Sequence, residues 1–242
     1  MVKSRLILFG ATGSLGRHVL RQALAAGHDV TVFVRTPSKL PPETRERVAV
    51  HTGDLSTPPP VDLMRGQDAL ITCAGHVAEG QAFVGLVDRL VTGVDSLPPP
   101  EQPVCWFLGG AALLDIDPSG RRGVDLPKVR STYWPHDLNL TRLRRSRLDW
   151  RMLCPGPMVD QPGIGLDRLR VSSDTLPVQV PAFARALPRA LLLPVFGSLI
   201  PQMIVSYADA AALMLANLDR GSAMSLHRVG LALPVGMRGR KG

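Results

Sequence analysis

The sequence predicts an α/β fold in which a doubly wound parallel sheet carries helices on both faces. In the first half of the chain, short apolar runs alternate with helical patterns, which is typical of βαβ units. A glycine-rich turn directly follows the first apolar run and precedes the first helical pattern. The chain has 242 residues, of which 45% are hydrophobic and 20% charged. It is therefore long enough to bury one large core, and we expect residues 1–242 to form a single domain.

The strands and helices are predicted from apolar runs, helical periodicity and the glycines and prolines that end them. The first helix carries an apolar stripe and ends at Gly27, the second ends at three consecutive prolines, and the last begins after Ser206, a good N-cap residue. The predicted strands are Arg5–Phe9, Asp29–Val34, Val48–Thr52, Ala69–Cys73, Val104–Leu108 and Asp149–Cys154, and the predicted helices are Ser14–Ala26, Gln81–Leu97, Trp134–Arg145 and Tyr207–Leu218.

A Pro-Gly-Pro sequence at 155–157 ends the sixth strand, and we expect the parallel sheet to be essentially complete there. Residues 1–157 then form the cofactor-binding core, and residues 158–242 add a small C-terminal cap over a substrate cleft together with the final elements of the same domain. The apolar segment 177–200 is interrupted by three prolines. It could form the lid of the cleft, mediate homodimerisation or touch a membrane surface, or simply pack against the sheet.

The strongest motif is Gly10-Ala11-Thr12-Gly13-Ser14-Leu15-Gly16, which lies between a predicted strand and a predicted helix. Gly10 permits a tight turn, Gly13 lets the backbone approach a pyrophosphate, and Gly16 allows close packing of the helix on the strand. Free N–H groups at the start of the helix then face the phosphates. This context predicts a Rossmann-type fold that binds a dinucleotide.

The end of the second strand favours NADP(H) over NAD(H). NAD-specific proteins usually place an acidic residue there to accept the ribose 2′-hydroxyl, whereas this strand ends in Arg35, followed by Ser38 and Lys39. Two positive charges and a hydroxyl suit a 2′-phosphate. The alternative is that these three residues only solvate the surface.

Two further strand ends lie on the side of the sheet where such folds bind ligands. Asp54 and Leu55 follow the third strand, and Asp54 could accept a hydrogen bond from the adenine amino group. Cys73, Ala74 and Gly75 lie at the end of the fourth strand, and Ala74 and Gly75 would allow close approach of the backbone. Both sequences are also ordinary turns.

Several segments together resemble the atypical short-chain dehydrogenase/reductases, more narrowly the NmrA-like and biliverdin-reductase-B-like NAD(P)H-binding proteins. The resemblance covers about residues 1–160. It implies an NADP-binding Rossmann fold with Gly10, Thr12, Gly13, Ser14, Leu15 and Gly16 around the phosphates, Arg35 at the 2′-phosphate, and Gly109 and Gly110 beside the nicotinamide. The segments that carry it are GATGSLG at 10–16, VRTPSKL at 34–40, TGDL at 52–55, FLGGAALL at 107–114 and RLDWRMLCPGP at 147–157.

The candidate catalytic residues depart from the usual pattern of this class. Ordinary members use a Tyr-x-x-x-Lys pair, but Tyr133 is followed four residues later by Asp137, whose negative charge would raise the tyrosine pKa. Positions 109–114 also lack the serine that the narrower branch often carries. His136, which members of that branch also tend to have, could protonate a developing alkoxide, or it could only bond a neighbouring loop. His76 is a further titratable side chain that could face the cleft.

Other functional classes are not supported by the sequence. There is no HExxH, paired CxxC or GxSxG motif, so neither a metal site nor a hydrolase is predicted. The net charge of +8 is interpreted mainly as surface solvation, and no nucleic-acid partner is expected. No transmembrane span or export signal is evident, and three cysteines in apolar runs suit the cytoplasm.

Two hypotheses of function remain from the sequence. The first is an NADPH-dependent reductase of a small apolar carbonyl, quinone or flavin-like acceptor, which acts as a monomer or homodimer. The second is a non-catalytic NADP(H) sensor that binds a protein partner, as NmrA-like proteins are thought to do. The missing Tyr-x-x-x-Lys pair is compatible with both.

Overall fold

The computed structural model describes residues 3–126 and 128–240. In these residues the chain forms an eight-stranded sheet, a separate two-stranded sheet and helices on both faces of the larger sheet. The strands are β1 (Arg5–Phe9), β2 (Asp29–Val34), β3 (Ala49–Thr52), β4 (Ala69–Thr72), β5 (Val104–Leu108), β6 (Trp150–Pro155), β7 (Met158–Val159), β8 (Arg170–Ser173), β9 (Val205–Ser206) and β10 (Arg228–Ala232). The helices are α1 (Ser14–Ala25), α2 (Pro42–Arg45), α3 (Gln81–Asp95), α4 (Arg130–Arg144), α5 (Arg189–Leu199) and α6 (Tyr207–Leu215).

The large sheet has the order β3-β2-β1-β4-β5-β6-β10-β8. All neighbouring strands are parallel except β8, which runs antiparallel to β10. The chain builds outwards from β1 to β3 on one side and from β4 onwards on the other, so the strand order reverses between β1 and β4. The carboxyl ends of these two strands meet where Phe9 is paired with Thr72. Ligands of open α/β sheets bind in the crevice at such a reversal.

The sheet separates two apolar layers because consecutive side chains of a strand point to opposite faces. In β1, Ile7 and Phe9 belong to the layer that contains α3, α4 and α5, whereas Leu6 and Leu8 belong to the layer that contains α1 and α6. The N-cap of α6 is Ser206, whose hydroxyl accepts a hydrogen bond from the Asp209 N–H at 2.9 Å. The doubly wound parallel sheet predicted from the sequence is confirmed.

The sheet is less complete at the sixth strand than the sequence predicted, because two further strands from residues 158–242 extend it. β10 adds to β6 in parallel, with Gly230 opposite Cys154, and β8 adds to β10. α4 also begins one turn earlier than predicted, at Arg130, and contains Pro135. The loss of one backbone donor at this proline is tolerated by the helix, so the proline does not mark its beginning.

The apolar segment 177–200 packs largely onto the core. Val178, Leu192, Phe196 and Leu199 are buried in the same cluster as the residues that follow β5. Phe183 and Leu191 remain exposed, at 65% and 55%. Burial against the sheet thus accounts for most of the segment, while its action as a lid stays a prediction.

Across the described residues, the helices are all too short or too polar to span a bilayer.

Candidate functional site

The glycine loop lies directly on the backbone at the end of β4. Gly10 has a φ of +80°, and a Cβ at this position would be 2.6 Å from the amide nitrogen of Ala74. A Cβ at Gly16 would overlap the carbonyl oxygen of Gly10. The loop is closed by a hydrogen bond of 3.0 Å from the Gly13 N–H to that same oxygen. These two glycines are therefore required by the close contact of backbone segments, as the motif predicts.

The N-terminus of α1 is suited to an anion. Its first turn has no acidic residue, and its N-cap is Gly13, which has no side chain to accept hydrogen bonds from the first N–H groups. Thr12, Gly13 and Ser14 are exposed, while Leu15 and Gly16 are buried beneath them. The positive end of the helix dipole and its unpaired N–H groups are therefore accessible from solvent. The residues present fit a bound pyrophosphate.

Arg35, Ser38 and Lys39 are all exposed just beyond the end of β2, and two of them carry a positive charge. The Arg35 guanidinium lies 3.9 Å from Asp54, whose pKa is lowered mainly by a hydrogen bond of 2.6 Å from the Ser56 N–H and further by Arg35. Asp54 is thus ionised and offsets part of the positive charge. No carboxylate occupies the position at the end of β2 where NAD-specific sites have one.

The end of β4 is closely packed rather than reactive. Burial raises the pKa of the Cys73 thiol to about 12, so the sulfur remains protonated at neutral pH. Gly75 has a φ of +91°, and a side chain there would overlap the ring of Phe83. Leu55 at the end of β3 is buried, and its carbonyl accepts a hydrogen bond from Arg89 at 2.8 Å.

The candidate catalytic residues lie together above the end of β5. A Cβ at Gly110 would be 3.5 Å from Cδ2 and 3.7 Å from Nε2 of His136, and 3.7 Å from the Tyr133 ring. The Tyr133 ring stacks on His136 with 6.2 Å between centroids, and Phe83 meets the imidazole edge-on at 5.4 Å. By contrast, a Cβ at Gly109 would be 2.9 Å from the Met152 sulfur. The structure brings Gly110, Tyr133 and His136 together.

The charge state of this cluster follows from burial. Desolvation, with a smaller effect from a positive charge on His76, lowers the pKa of His136 to about 4. The imidazole is therefore neutral at pH 7 and can donate or accept a hydrogen bond. His76 is exposed, and its Nδ1 accepts a hydrogen bond from the Ala78 N–H at 3.1 Å.

The Asp137 carboxylate, which the sequence places one turn from Tyr133, is held by another residue. Its Oδ1 accepts a hydrogen bond of 2.6 Å from Arg122, which also pairs with Asp125. Arg122 thus compensates the negative charge that the sequence suggested would act on the tyrosine. The position that holds a lysine in ordinary members is an aspartate within an ion pair.

Sequence reasoning missed three residues of this region. Phe83 and Asn139 lie on α3 and α4, and their helical patterns predicted only core packing. Arg228 of β10 is 4% exposed and donates hydrogen bonds to the Leu113 carbonyl and to Asp115, so it anchors the segment after Gly110. Asn139, three residues after His136, could have been found as a polar residue on the apolar side of the helix.

A cavity of about 410 Å³ lies elsewhere, between the outer face of α1 and the segment 41–47. Its wall includes Arg17, Arg21, Arg47 and Asp160, and it contains none of the predicted site residues. Asp160 pairs with Arg17 and accepts a hydrogen bond of 3.0 Å from His18. Within the part of the chain that the structure describes, no group of three His, Cys, Asp or Glu residues is arranged to hold a metal ion.

Comparisons with known proteins agree with this geometry. Residues 10–97 match the model of an NAD(P)H-binding family. YwnB, an uncharacterized protein of Bacillus subtilis, is 26% identical over 170 residues, which are 64% of this chain and 73% of that protein.

Solved structures with the same fold share less sequence. SP1627 of Streptococcus pneumoniae, named provisionally as an NADH-flavin reductase, has a TM-score of 0.70 at 20% identity and covers 95% of this chain and 99% of its own. ChuY, an anaerobillin reductase of Escherichia coli O157:H7, has a TM-score of 0.62 at 19% identity, with 96% and 98% covered. A short-chain dehydrogenase/reductase of Veillonella parvula has a TM-score of 0.66 at 14% identity, with 100% and 99% covered.

Three observations indicate a nucleotide-binding fold: the glycine loop, the strand order and the family match over residues 10–97. Residues 10–97 therefore match an NAD(P)H-binding family, and the chain has the Rossmann-type fold that its resemblance to the atypical short-chain dehydrogenase/reductases implies.

Proposed function

We propose that the chain is an NADPH-dependent reductase of a small, largely apolar acceptor of the carbonyl, quinone or flavin type. The observation that carries the proposal is the uncharged aromatic cluster of Phe83, Tyr133 and His136 at Gly110, on the same sheet edge as the glycine loop. Such surroundings suit a flat, neutral ring better than a charged substrate. The names of two of the similar proteins also describe reductases.

The bound nicotinamide would supply a hydride, and the protein would position the acceptor. Gly10, Gly13 and the N-terminus of α1 would hold the pyrophosphate, and Arg35, Ser38 and Lys39 would hold the 2′-phosphate. Gly110 leaves space beside His136 and Tyr133 for the two rings to approach. Catalysis would depend chiefly on this alignment, because the buried imidazole of His136 is uncharged at pH 7.

A non-catalytic NADP(H) sensor of the NmrA-like kind is the second candidate. The observation that favours it is the ion pair of Asp137 with Arg122, at the position where ordinary members carry a catalytic lysine. A sensor would bind the cofactor without consuming it and would change its affinity for a protein partner with the cofactor state.

The test is a titration of the purified protein with NADPH and with NADH, followed by addition of quinones, free flavin and aldehydes while cofactor absorbance is measured. We expect tighter binding of NADPH and its oxidation with a ring acceptor. Tight binding without oxidation by any acceptor would favour the sensor. Failure to bind either nucleotide would contradict both candidates.

A further inference from the structure

Two buried polar side chains on α4 have hydrogen-bonding atoms that the described residues leave unpaired. His136 is 7% exposed and its Nδ1 has no partner there, and Asn139 is 1% exposed with neither Oδ1 nor Nδ2 paired. Buried polar groups are nearly always hydrogen-bonded, because desolvation without a partner is costly. A leucine at position 139 would avoid this cost. The amide therefore points to a role besides packing.

The two side chains lie on the same face of α4. Residues three apart in a helix have Cβ atoms about 5–6 Å from each other. Both are buried, together with Leu140 and Leu143, on the side of α4 that faces the core. Neither side chain bonds the other directly, so one bridging water is the shortest link that their placement on a common face allows.

The ring of His136 is oriented with respect to the site. Its Cδ2 and Nε2 atoms are the ones nearest to a Cβ built on Gly110, so the Nε2 edge faces the position beside Gly110. Nδ1 lies on the other side of the ring and is buried. A neutral imidazole carries one proton, and the partner of one nitrogen determines whether the other is a donor.

We propose that Asn139 is a positioning residue whose amide group donates a hydrogen bond to one bridging water, which in turn donates to Nδ1 of His136 and so holds the ring proton on Nε2. The Nε2–H group then donates a hydrogen bond to the oxygen of the acceptor beside Gly110. Ala111 and Ala112 follow Gly110 and have no polar side chain, so the imidazole supplies a donor that this segment lacks. The second step rests on the proposed reductase function, whereas the tautomer does not.

The charged groups around the ring agree with a neutral donor. α3 contributes the uncharged ring of Phe83, and Tyr133 stacks on the imidazole from its own helix. His76, ahead of α3, is the titratable neighbour whose positive charge would oppose protonation. Asp137 is paired with Arg122. The burial of the ring also disfavours the imidazolium form.

The test uses the 242-residue chain with 15N-labelled histidine and long-range 1H–15N correlation spectra, with His136→Gln to assign the resonance. We expect the wild-type ring in the Nε2–H tautomer from pH 5.5 to 8. Asn139→Leu should lose this preference, and Asn139→Asp, whose carboxylate can only accept, should move the proton to Nδ1 and raise the pKa of His136. An Nδ1–H tautomer in the wild type, or an unchanged ring in Asn139→Leu, would overturn the proposal.

A control and a second measurement separate positioning from folding. Asn217→Leu removes an amide that donates to the Leu213 carbonyl at 2.9 Å, away from the ring, and should leave the His136 signals unchanged. Asn139→Leu loses the proposed link to Nδ1 but replaces a buried amide with an apolar group, so its melting temperature should stay close to that of the wild type. If Asn139→Leu does not fold, Asn139→Asp and Asn139→Gln carry the test, and Gln must retain the Nε2–H tautomer.

Turnover gives an independent readout for the proposed hydrogen bond from Nε2–H of His136 to the acceptor oxygen. With an acceptor found in the absorbance assay, Asn139→Leu should lower kcat about tenfold, a typical effect of losing a supporting hydrogen bond, without changing the KM for NADPH. The spectra are recorded without an acceptor, so a protein that proves to be a sensor can still show the tautomer. An unaltered kcat would overturn the catalytic part alone.

Discussion

At the scale of single residues, two glycines of the site are present for different reasons. Gly10 adopts a positive φ against the backbone of Ala74, so a side chain there is excluded by strain and by contact. Gly110 is in extended backbone, and a Cβ would make only ordinary contacts with His136 and Tyr133. The spacing of the motif alone predicts the first glycine. The second, Gly110, was expected only from a family resemblance. The absence of a side chain there leaves space beside His136 and Tyr133, which no local sequence pattern indicates.

The preference for NADPH is tested at Arg35. Arg35→Glu replaces a cation with an anion at the proposed 2′-phosphate site and should weaken NADPH binding roughly 10- to 100-fold, as expected for a charge-assisted hydrogen bond, with little loss of NADH binding. Fluorescence titration with both nucleotides measures the ratio. Arg145→Glu makes the same charge change at the C-terminal end of α4, where it should have almost no effect. Equal affinities of Arg35→Glu and the wild type for NADPH would contradict the proposed site.

At the scale of elements, a strand or helix is predicted accurately when residues within the element itself determine it, and poorly when distant partners do. β1, β2 and β5 have the predicted bounds because each is a largely buried apolar run between clear turn signals. β8 is short and half-exposed, and β10 contains Gly230 and a buried arginine, so neither has the pattern of a central strand. The partners that make Arg228 acceptable in the interior are Asp115 and Asp174, which lie far away in sequence. No local pattern could indicate them.

The arginine that joins β10 to the site is expected to be a major source of stability. Arg228→Met should lower the free energy of unfolding by about 2–3 kcal/mol, because it leaves two partly buried carboxylates without their cation. Urea unfolding followed by circular dichroism measures the change. Arg238→Met removes an exposed arginine with one bond to the Ser198 carbonyl and should change stability by less than about 0.5 kcal/mol. Similar losses of unfolding free energy in the two variants would show that the ion pairs of Arg228 with Asp115 and Asp174 add no more stability than one surface hydrogen bond.

At the scale of the whole molecule, buried histidine should make the fold sensitive to acid. The pKa of His136 is about 4 in the folded protein and 6.5 in its ordinary state, so the unfolded chain binds more protons between these values. Stability should therefore rise with pH from 4 to 6.5, by up to about 3 kcal/mol from this residue. His136→Phe should flatten that rise, measured as the unfolding free energy at several pH values.

The control for acid sensitivity is His51→Gln, at an exposed position in β3, which should leave the slope unchanged. His28 also has a lowered pKa, chiefly because of burial, so some slope should remain in His136→Phe. A variant with the full wild-type slope would mean that the buried imidazole is already protonated or is exposed before unfolding.

The place of β10 in the sheet also bears on the order in which the molecule can be assembled. β8 precedes β10 in the chain but pairs with the sheet through β10, which must first add to β6. During synthesis the N-terminal residues emerge first, so β1 to β6 can pair as they appear, whereas β8 has to wait until residues 228–232 have emerged. Until then the edge of β6 is unpaired and the segment after Gly110 lacks Arg228. The glycine loop after β1 can therefore form before Arg228 is present to anchor the segment after Gly110.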